Sequence, residues 1–354
     1  PPGRVKSPSD VCVRTAAGRC LPSAGEVLQR RRDGSIEWMR LDFLTHFEAE
    51  ERQSVFVEMT PGDAPAPDHP VVVEEGPEGI RLGNGLTELI IGRSGSLIRR
   101  LTMWGREWIG AGDRVDLEAV DLDGKMYRAS VGAGYTVTIE QANPLKATVK
   151  IEGRHAARDG ATFIDFTLRI GLTANRADLG FRHTFHIREP ATGPMEVKAL
   201  RLVMSTRMDP AARKILHQAH HGAEWWPRPV TVTENVEVIA SSVSEVNQYA
   251  RDFKPYKGGT LYLRNLRSLK EKAGDYPFHI SMKGGTEYRA DYMTGGVRQV
   301  YPFVGWQQDD LTIVFSMRYW TQLHPNSLVL DENLLTLNFW PEWANPMRVV
   351  PGVS

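Results

Sequence analysis

Residues 161–172, ATFIDFTLRIGL, contain the pattern that decides the fold. One face of an extended chain would carry four apolar side chains: Ile164, Phe166, Leu168 and Ile170. The opposite face would carry the residues between them, which include Asp165 and Arg169. Successive side chains of a strand point to opposite faces, so this alternation predicts a half-buried strand.

The same alternation recurs along the chain, and helical patterns are few. It predicts further strands at residues 97–104, 135–140, 147–152, 181–188, 200–204, 230–239, 261–263, 311–319 and 335–339. Asp-Gly and Gly-Gly pairs between these segments predict hairpin turns. Helical patterns are confined to residues 209–216, 244–253 and 265–273. An all-β fold is therefore predicted, because strands do not alternate with helices as they do in α/β proteins.

Residues 60–70, TPGDAPAPDHP, predict a boundary between two domains. Four prolines in this stretch exclude a central strand and stiffen the connection. We expect a small N-terminal domain over residues 1–65 and a large domain over residues 71–354. A unit of ~60 residues is marginal alone, so the first domain should pack against the second or lack part of its own fold.

Composition limits the partners of the chain. Lys plus Arg and Asp plus Glu both number 43, so no uniform field attracts nucleic acid or a membrane surface. The chain opens with Pro1 rather than Met, and we expect a processed product or an excised piece.

Cys12 and Cys20 would form either a disulfide in an oxidising compartment or two buried thiols. Their number excludes a zinc ribbon or an iron–sulfur site.

Two aromatic stretches supply the candidate binding residues. Trp225 and Trp226 stand in a predicted loop with His221 and Arg228 nearby, a set that suits stacking on a sugar and pairing with its carboxylate. The alternative is that one of these indoles is packed core. Further along, two residues, Arg318 and Trp320, share a strand face, which would form a sugar platform or, as we favour, a seat between domains.

The histidines carry weaker signals. On a helix, His217 and His221 would lie on one face and could bind a metal ion together with Glu224. A polar loop is the preferred interpretation of this stretch, so no metal is predicted. His183 falls on an apolar strand face and is expected to be a hydrogen-bonded core residue. His186 falls on the opposite, basic face, which would be either a patch or a solvated surface.

Sequence motifs of common enzyme classes are absent. The chain has no Gly-x-Ser-x-Gly elbow, phosphate-binding loop or dinucleotide fingerprint, so no catalytic residue and no cofactor are predicted. A hydrolase that uses Asp309 and Asp310 as paired carboxylates ranks last, because adjacent strand residues face opposite ways.

Three stretches resemble the exo-rhamnogalacturonan lyase (YetA-like) family. Residues 32–43, RDGSIEWMRLDF, resemble a hairpin of the N-terminal barrel of that family, and residues 317–325, MRYWTQLHP, resemble the strand that closes its central β-sandwich. Residues 335–341, LTLNFWP, followed by Pro351 and Gly352, are similar to the exit towards its third domain.

The resemblance implies a RIFT-like N-terminal barrel, a large antiparallel β-sandwich and then an α/α toroid that houses most of the active site. This sequence stops where the toroid should start, and we expect the first strand of the barrel to be clipped, so no catalytic residue is carried over. The leading hypothesis is the non-catalytic β region of a polysaccharide lyase-like enzyme that acts on rhamnogalacturonan, a pectin component, or a related acidic glycan. The alternative is a stand-alone carbohydrate-binding or scaffold module. A secreted or periplasmic location is favoured.

Overall fold

The computed structural model describes residues 3–48, 52–59, 64–132, 134–186, 195–219, 230–232, 236–242, 259–265, 301–309, 311–317, 326–342 and 346–349. Almost all regular structure in these residues is strand, which confirms the predicted all-β class. The one helical element among them is a 3₁₀ turn at Pro8–Asp10.

The strands are numbered in chain order. The N-terminal strands are β1 (Cys12–Thr15), β2 (Ser23–Arg30), β3 (Ile36–Phe43) and β4 (Val55–Glu58). The next group is β5 (Val72–Gly76), β6 (Gly79–Gly83), β7 (Thr87–Gly92), β8 (Ile98–Met103) and β9 (Arg106–Ile109). The middle of the chain contains β10 (Val115–Val120), β11 (Met126–Arg128), β12 (Tyr135–Asn143), β13 (Lys146–Ala156), β14 (Thr162–Thr173), β15 (Leu179–His186), β16 (Met195–Val197) and β17 (Ala199–Ser205). The last described strands are β18 (Arg213–Ala219), β19 (Val230–Val232), β20 (Val236–Ser242), β21 (Gly259–Asn265), β22 (Tyr301–Gln308), β23 (Leu311–Ser316), β24 (Asn326–Asp331), β25 (Leu334–Trp340) and β26 (Met347–Val349).

Two antiparallel sheets make up the main body. A five-stranded sheet runs β5-β6-β7-β8-β9 through successive hairpins. An eleven-stranded sheet has the order β15-β14-β13-β11-β10-β17-β25-β24-β20-β21, with β12 also paired to β13. A four-stranded sheet, β19-β18-β22-β23, and the pair β16-β26 complete this part of the molecule.

The hydrophobic core lies between the five-stranded and eleven-stranded sheets. Leu89 and Trp108 of the smaller sheet share one buried cluster with Phe166 and Leu202 of the larger sheet, and Trp306 of β22 joins them. The four apolar residues predicted to share a face of β14 are all buried, which confirms the predicted face. Burial of alternate residues on two facing sheets gives a β-sandwich.

The described N-terminal residues form two small sheets, β1-β4 and β2-β3. The closed barrel expected there stays a prediction. The segment is attached to the sandwich through β3, where Asp42 Oδ2 accepts hydrogen bonds from Gln141 Nε2 at 2.8 Å and Asn143 Nδ2 at 3.3 Å. Leu44 packs against the sandwich core. The described N-terminal residues therefore contact the sandwich through β3 and Leu44.

Two details of the predicted secondary structure are wrong. The helix predicted at residues 209–216 is a turn at Asp209 followed by β18, which pairs with β22 from Arg213 to Ala219. Pairing with a neighbouring strand supplies the backbone bonds that a helix would otherwise form, and it overrides a weak local preference. The single strand predicted at residues 230–239 is instead β19 and β20, which belong to different sheets. The helices predicted at residues 244–253 and 265–273 lie outside the described residues, apart from Asn265 at the end of β21.

Candidate functional site

A cluster of charged residues lies on the outer face of the eleven-stranded sheet, away from the core. β10 points Val115 and Leu117 inward, so Asp116 and Glu118 point outward, yet both carboxylates are buried. The strand register places Glu118 directly opposite Arg128 on one side and Arg201 on the other. Cross-strand neighbours of opposite charge therefore cover the carboxylate from both sides.

Three guanidinium groups converge on Glu118. Its Oε1 accepts a hydrogen bond from Arg128 Nε at 3.0 Å, and its Oε2 accepts one from Arg201 Nε at 2.8 Å. Arg114 Nη2 also lies against Oε1. Burial lowers the pKa of Arg114 and Arg201 below the ordinary arginine value, because it disfavours the charged form. Arg201 Nη1 also lies 3.8 Å from Glu342 Oε2, so the three guanidinium groups are balanced by more than one carboxylate.

Asp116 is held mainly by Ser130. Its carboxylate accepts hydrogen bonds from Ser130 Oγ at 2.5 Å and Ser130 N at 3.1 Å. Burial raises the pKa of Asp116 and outweighs these two hydrogen bonds, which act to lower it. The residue thus ties β10 to the segment after β11, and its Oδ2 also lies 3.7 Å from Arg114 Nε and balances part of that positive charge.

Arg128 also lines a groove between two hairpin turns. One turn joins β10 to β11 at residues 121–125, and the other joins β13 to β14 at residues 157–161. Lys125 Nζ donates to Asp159 Oδ2 at 2.6 Å and links the two turns. The groove has a volume of ≈ 350 Å³ and is lined by Lys125, Met126, Arg128, Val131, Ala156, Ala157, Arg158 and Asp159. We call this feature the basic groove.

The charges of the basic groove suit an anionic group. Its lining contains three cations, of which Lys125 is paired with Asp159 and Arg128 with Glu118, while the third is Arg158. Arg158 is exposed and has no carboxylate partner among the described residues. A free guanidinium can bind a carboxylate through two parallel hydrogen bonds, so the groove can accept an acidic ligand.

Tyr127 fixes the first of the two turns. Its ring stacks on Phe163 of β14 with 4.9 Å between centroids, and its hydroxyl donates to Asp121 Oδ2 at 2.9 Å. Burial and the Asp121 hydrogen bond raise the pKa of Tyr127 to about 12. The phenol therefore stays protonated at neutral pH and serves as a fixed support for the groove rather than as a base.

One histidine is buried beside the groove, and a second, in β15, is half-buried. His155, next to the groove residue Ala156, is fully buried and donates from Nδ1 to the carbonyl oxygen of Ile164 at 2.7 Å. Burial lowers its pKa to about 4. His183 stacks on Phe339 at 4.9 Å between centroids, and burial lowers its pKa to about 3. Both rings are neutral at pH 7 and are therefore part of the packing.

The expectations for His183 and His186 are met in different degrees. His183 is half-buried rather than a core residue, and its Nε2 lacks the predicted hydrogen bond among the described residues. Stacking on Phe339 holds the ring instead. His186 lies on the opposite face, where its Nε2 is 3.1 Å from Thr167 Oγ1.

The predicted binding residues His221, Trp225, Trp226, Arg228, Arg318 and Trp320 lie outside the described residues and remain predictions. His217 belongs to β18, whereas His220 and Glu224 are also outside the described part. Within the described part of the chain, no group of three or more metal-binding side chains occurs. Asp309 is exposed and lies 3.8 Å from Arg106, and Asp310 is outside the described residues.

Sequence reasoning missed the basic groove. The Asp-Gly pairs at residues 123–124 and 159–160 predict both turns, but not that the turns lie side by side. The available signal was the pair of basic residues that flank those turns, Lys125 and Arg158. These positions are far apart in the chain and meet only because β11 and β13 pair through Arg128 and Ala156.

Among the described residues, no helix is long and apolar enough to cross a membrane.

Comparison with known proteins relates the sandwich to one family. Residues 71–225 match the family described as the PcRGLX-like protein central beta sandwich domain. This match supports the resemblance to rhamnogalacturonan lyase-like proteins for that part of the chain. A stretch of 159 residues is 27% identical to the uncharacterized protein YetA of Bacillus subtilis (strain 168). The stretch covers 43% of this chain and 18% of the relative, so the chain spans only a small part of that protein.

Proposed function

We propose that this chain is the non-catalytic β region of a polysaccharide lyase-like enzyme that cleaves rhamnogalacturonan or a related acidic glycan by β-elimination. The match of residues 71–225 to the PcRGLX-like central sandwich family is the observation that carries the proposal. The catalytic groups would belong to an α/α toroid in the parent protein, and the sandwich would support that toroid and contact the glycan.

The chemistry of the described groups supports a non-catalytic role. β-Elimination at a uronic acid needs a base for the C5 proton, donors that neutralise the carboxylate and an acid for the leaving oxygen. The basic groove offers cations for the second requirement. The neighbouring His155 is fully buried and cannot reach a glycan as a base. The groove therefore suits binding of a uronate rather than its cleavage.

Incubation of the chain with rhamnogalacturonan tests this role directly. We expect no unsaturated uronate to accumulate, as monitored by its ultraviolet absorbance. A parallel calorimetric titration should detect binding of an acidic oligosaccharide. Efficient turnover by the chain alone would falsify the proposal that the catalytic groups lie elsewhere.

Substitutions test which surface binds the glycan. Arg158→Gln removes the unpaired guanidinium of the basic groove and should weaken binding roughly tenfold, or ~1.4 kcal/mol. Arg99→Gln is the matched control, because Arg99 is also exposed but belongs to β8 of the other sheet. Trp225→Ala and Trp226→Ala test the predicted aromatic loop in the same titration. Unchanged affinity in all three groove and loop variants would contradict both surfaces.

A stand-alone carbohydrate-binding or scaffold module is the second candidate, and the basic groove favours it because that groove needs no other domain to bind an anion. The parent gene distinguishes the two candidates through the sequence that it encodes after residue 354. A run of amphipathic helices there would support the lyase, and a stop codon would support the module.

A further inference from the structure

The two cysteines of the chain lie against each other in the N-terminal segment. Cys12 and Cys20 are the only cysteines among the 354 residues, and their Sγ atoms are 2.8 Å apart as free thiols. A disulfide needs the two sulfurs to approach to about 2.05 Å. The remaining approach is less than an ångström, so a small side-chain adjustment suffices to join them.

The backbone holds this arrangement in place. Cys12 is the first residue of β1, and the chain folds back on this strand through a tight turn. Arg14 therefore forms a β-bridge with Cys20. Next to this bridge, Leu21 N donates a hydrogen bond to Val13 O at 2.8 Å. Cys12 and Arg14 share one face of β1, because they are two residues apart in a strand. Cys20, opposite Arg14, is thus the diagonal neighbour of Cys12 on that face.

The two thiols differ in accessibility. Cys12 is fully buried, whereas Cys20 is half-buried and can be reached from solvent. The hydrogen bond with Cys20 and burial both raise the pKa of Cys12 above the ordinary thiol value. Cys20 is therefore the position at which a disulfide reagent enters, and Cys12 is the thiol that acts second.

We propose that Cys12 and Cys20 form a dithiol site that is oxidised to an intramolecular disulfide by exchange with a small disulfide such as oxidised glutathione. The Cys20 thiolate attacks one sulfur of the reagent, forms a mixed disulfide and releases one glutathione thiolate. Cys12 then loses its proton and attacks Cys20 Sγ, which forms the protein disulfide and releases the second glutathione. Two electrons pass from the protein to the reagent, and the two thiol protons end on the released glutathione.

The disulfide would stabilise the N-terminal segment, which has a smaller core than the sandwich. It would close the turn that joins β1 to the following residues. Outside that turn, the strand partner of β1 is the short β4. Small units with a limited core commonly depend on such cross-links. The disulfide should therefore slow proteolysis in the N-terminal segment and leave the sandwich unchanged.

Incubation of the folded chain with oxidised glutathione, followed by thiol counting and non-reducing peptide mapping, tests the proposal. We expect both titratable thiols to disappear, with a cross-linked peptide that contains Cys12 and Cys20 and no retained glutathione. Cys12→Ser should stop at a mixed disulfide on Cys20, and Cys20→Ser should leave the buried Cys12 unmodified. Persistence of both thiols in the wild-type chain, stable glutathione adducts on it, or disulfide-linked dimers would overturn the proposal. The wild-type mapping does not depend on whether either variant folds.

Discussion

The sandwich buries its large apolar side chains, whereas the N-terminal segment leaves several of its own exposed to solvent. Trp108 of β9 is 2% exposed within a continuous core, whereas Trp38 of β3 is 65% exposed. Phe56 and Val57 of β4 are also exposed by half or more. A five-stranded and an eleven-stranded sheet can cover each other, but two-stranded sheets cannot bury both of their faces.

The difference shows where the stability of the chain originates. Burial of apolar area is the main favourable term in folding, and most of that area lies in the sandwich. The N-terminal segment depends on its contacts with the sandwich through Asp42 and Leu44. We therefore expect substitutions in the sandwich to affect global stability, and substitutions in the N-terminal segment to act locally.

Truncation of the two tryptophans is the strongest test of this contrast. Trp108→Ala should lower the free energy of unfolding by ~3–5 kcal/mol, because it leaves a large cavity in the core. Trp38→Ala should change it by less than about 0.5 kcal/mol. Denaturant unfolding measures both values. Equal losses from the two variants would show that Trp38 is covered in the folded protein.

Acid should destabilise the sandwich through two of its histidines. Burial lowers the pKa of His155 to about 4 in the folded chain, below the ordinary histidine value of 6.5. Above pH 6.5 both the folded and the unfolded state are neutral at this position. Between pH 6.5 and about 4 only the unfolded state takes up the proton, so stability falls with falling pH, by ~3 kcal/mol in total. His183 adds a loss of the same sign.

Unfolding measured across this pH range should separate His155 from the carboxylates, which also titrate near its lower end. His155→Gln should flatten the slope between pH 6.5 and 4. The control is His46→Gln, since His46 is exposed in the N-terminal segment. An identical slope in the wild type and in His155→Gln would contradict the buried neutral state of His155.

Substitution of one glycine in each region tests how strongly the backbone there requires glycine. Gly79 has φ 145°, and a Cβ there would overlap the carbonyl oxygen of Ile91 in the five-stranded sheet. Gly18 has φ 80° in the N-terminal segment, and no atom lies within 4 Å of an added Cβ. Gly79→Ala should cost about 2–3 kcal/mol, and Gly18→Ala only ~1 kcal/mol from its left-handed backbone. Thermal unfolding of the two variants should reveal the difference.

Loss of the contact between the two regions should have a small and local effect. Asp42→Ala removes the acceptor of the hydrogen bonds from Gln141 and Asn143 and should cost ~1 kcal/mol. The loss should appear as faster amide exchange in β2 and β3 rather than in the sandwich. Asp178→Ala, which removes an exposed ion pair with Arg176, is the control and should leave that exchange unchanged. Faster exchange throughout the sandwich would contradict the local role of Asp42.

Much of the sandwich could be predicted from sequence, because local alternation and burial agree there. In β14 the residues with apolar side chains at every second position are those that face the core. In β18 the local pattern indicates a helix, and pairing with the distant β22 decides otherwise. Alternation indicates which face of a strand is buried, but not which strand lies beside it.

The candidate site was less accessible to sequence reasoning for the same reason. The charged cluster depends on Glu118 standing between Arg128 and Arg201, and Arg201 is far from it in the chain. Three arginines at these distances carry no recognisable motif. Clustered aromatic residues, in contrast, are visible locally in a sequence, which explains why the predicted binding residues include Trp225, Trp226 and Trp320.

The order of strands in the eleven-stranded sheet determines which shortened versions of the chain could keep the sandwich intact. The family match ends at residue 225, but the hydrogen-bond ladder continues from β17 into β25, which spans Leu334–Trp340. A shortened chain that ended at residue 225 would leave β17, which carries the apolar Leu202 and Met204, as an open edge of the sheet. Open apolar edges recruit strands from other molecules and promote aggregation. The sandwich is therefore a unit of the chain that includes β24 and β25, whatever the extent of its detectable sequence similarity.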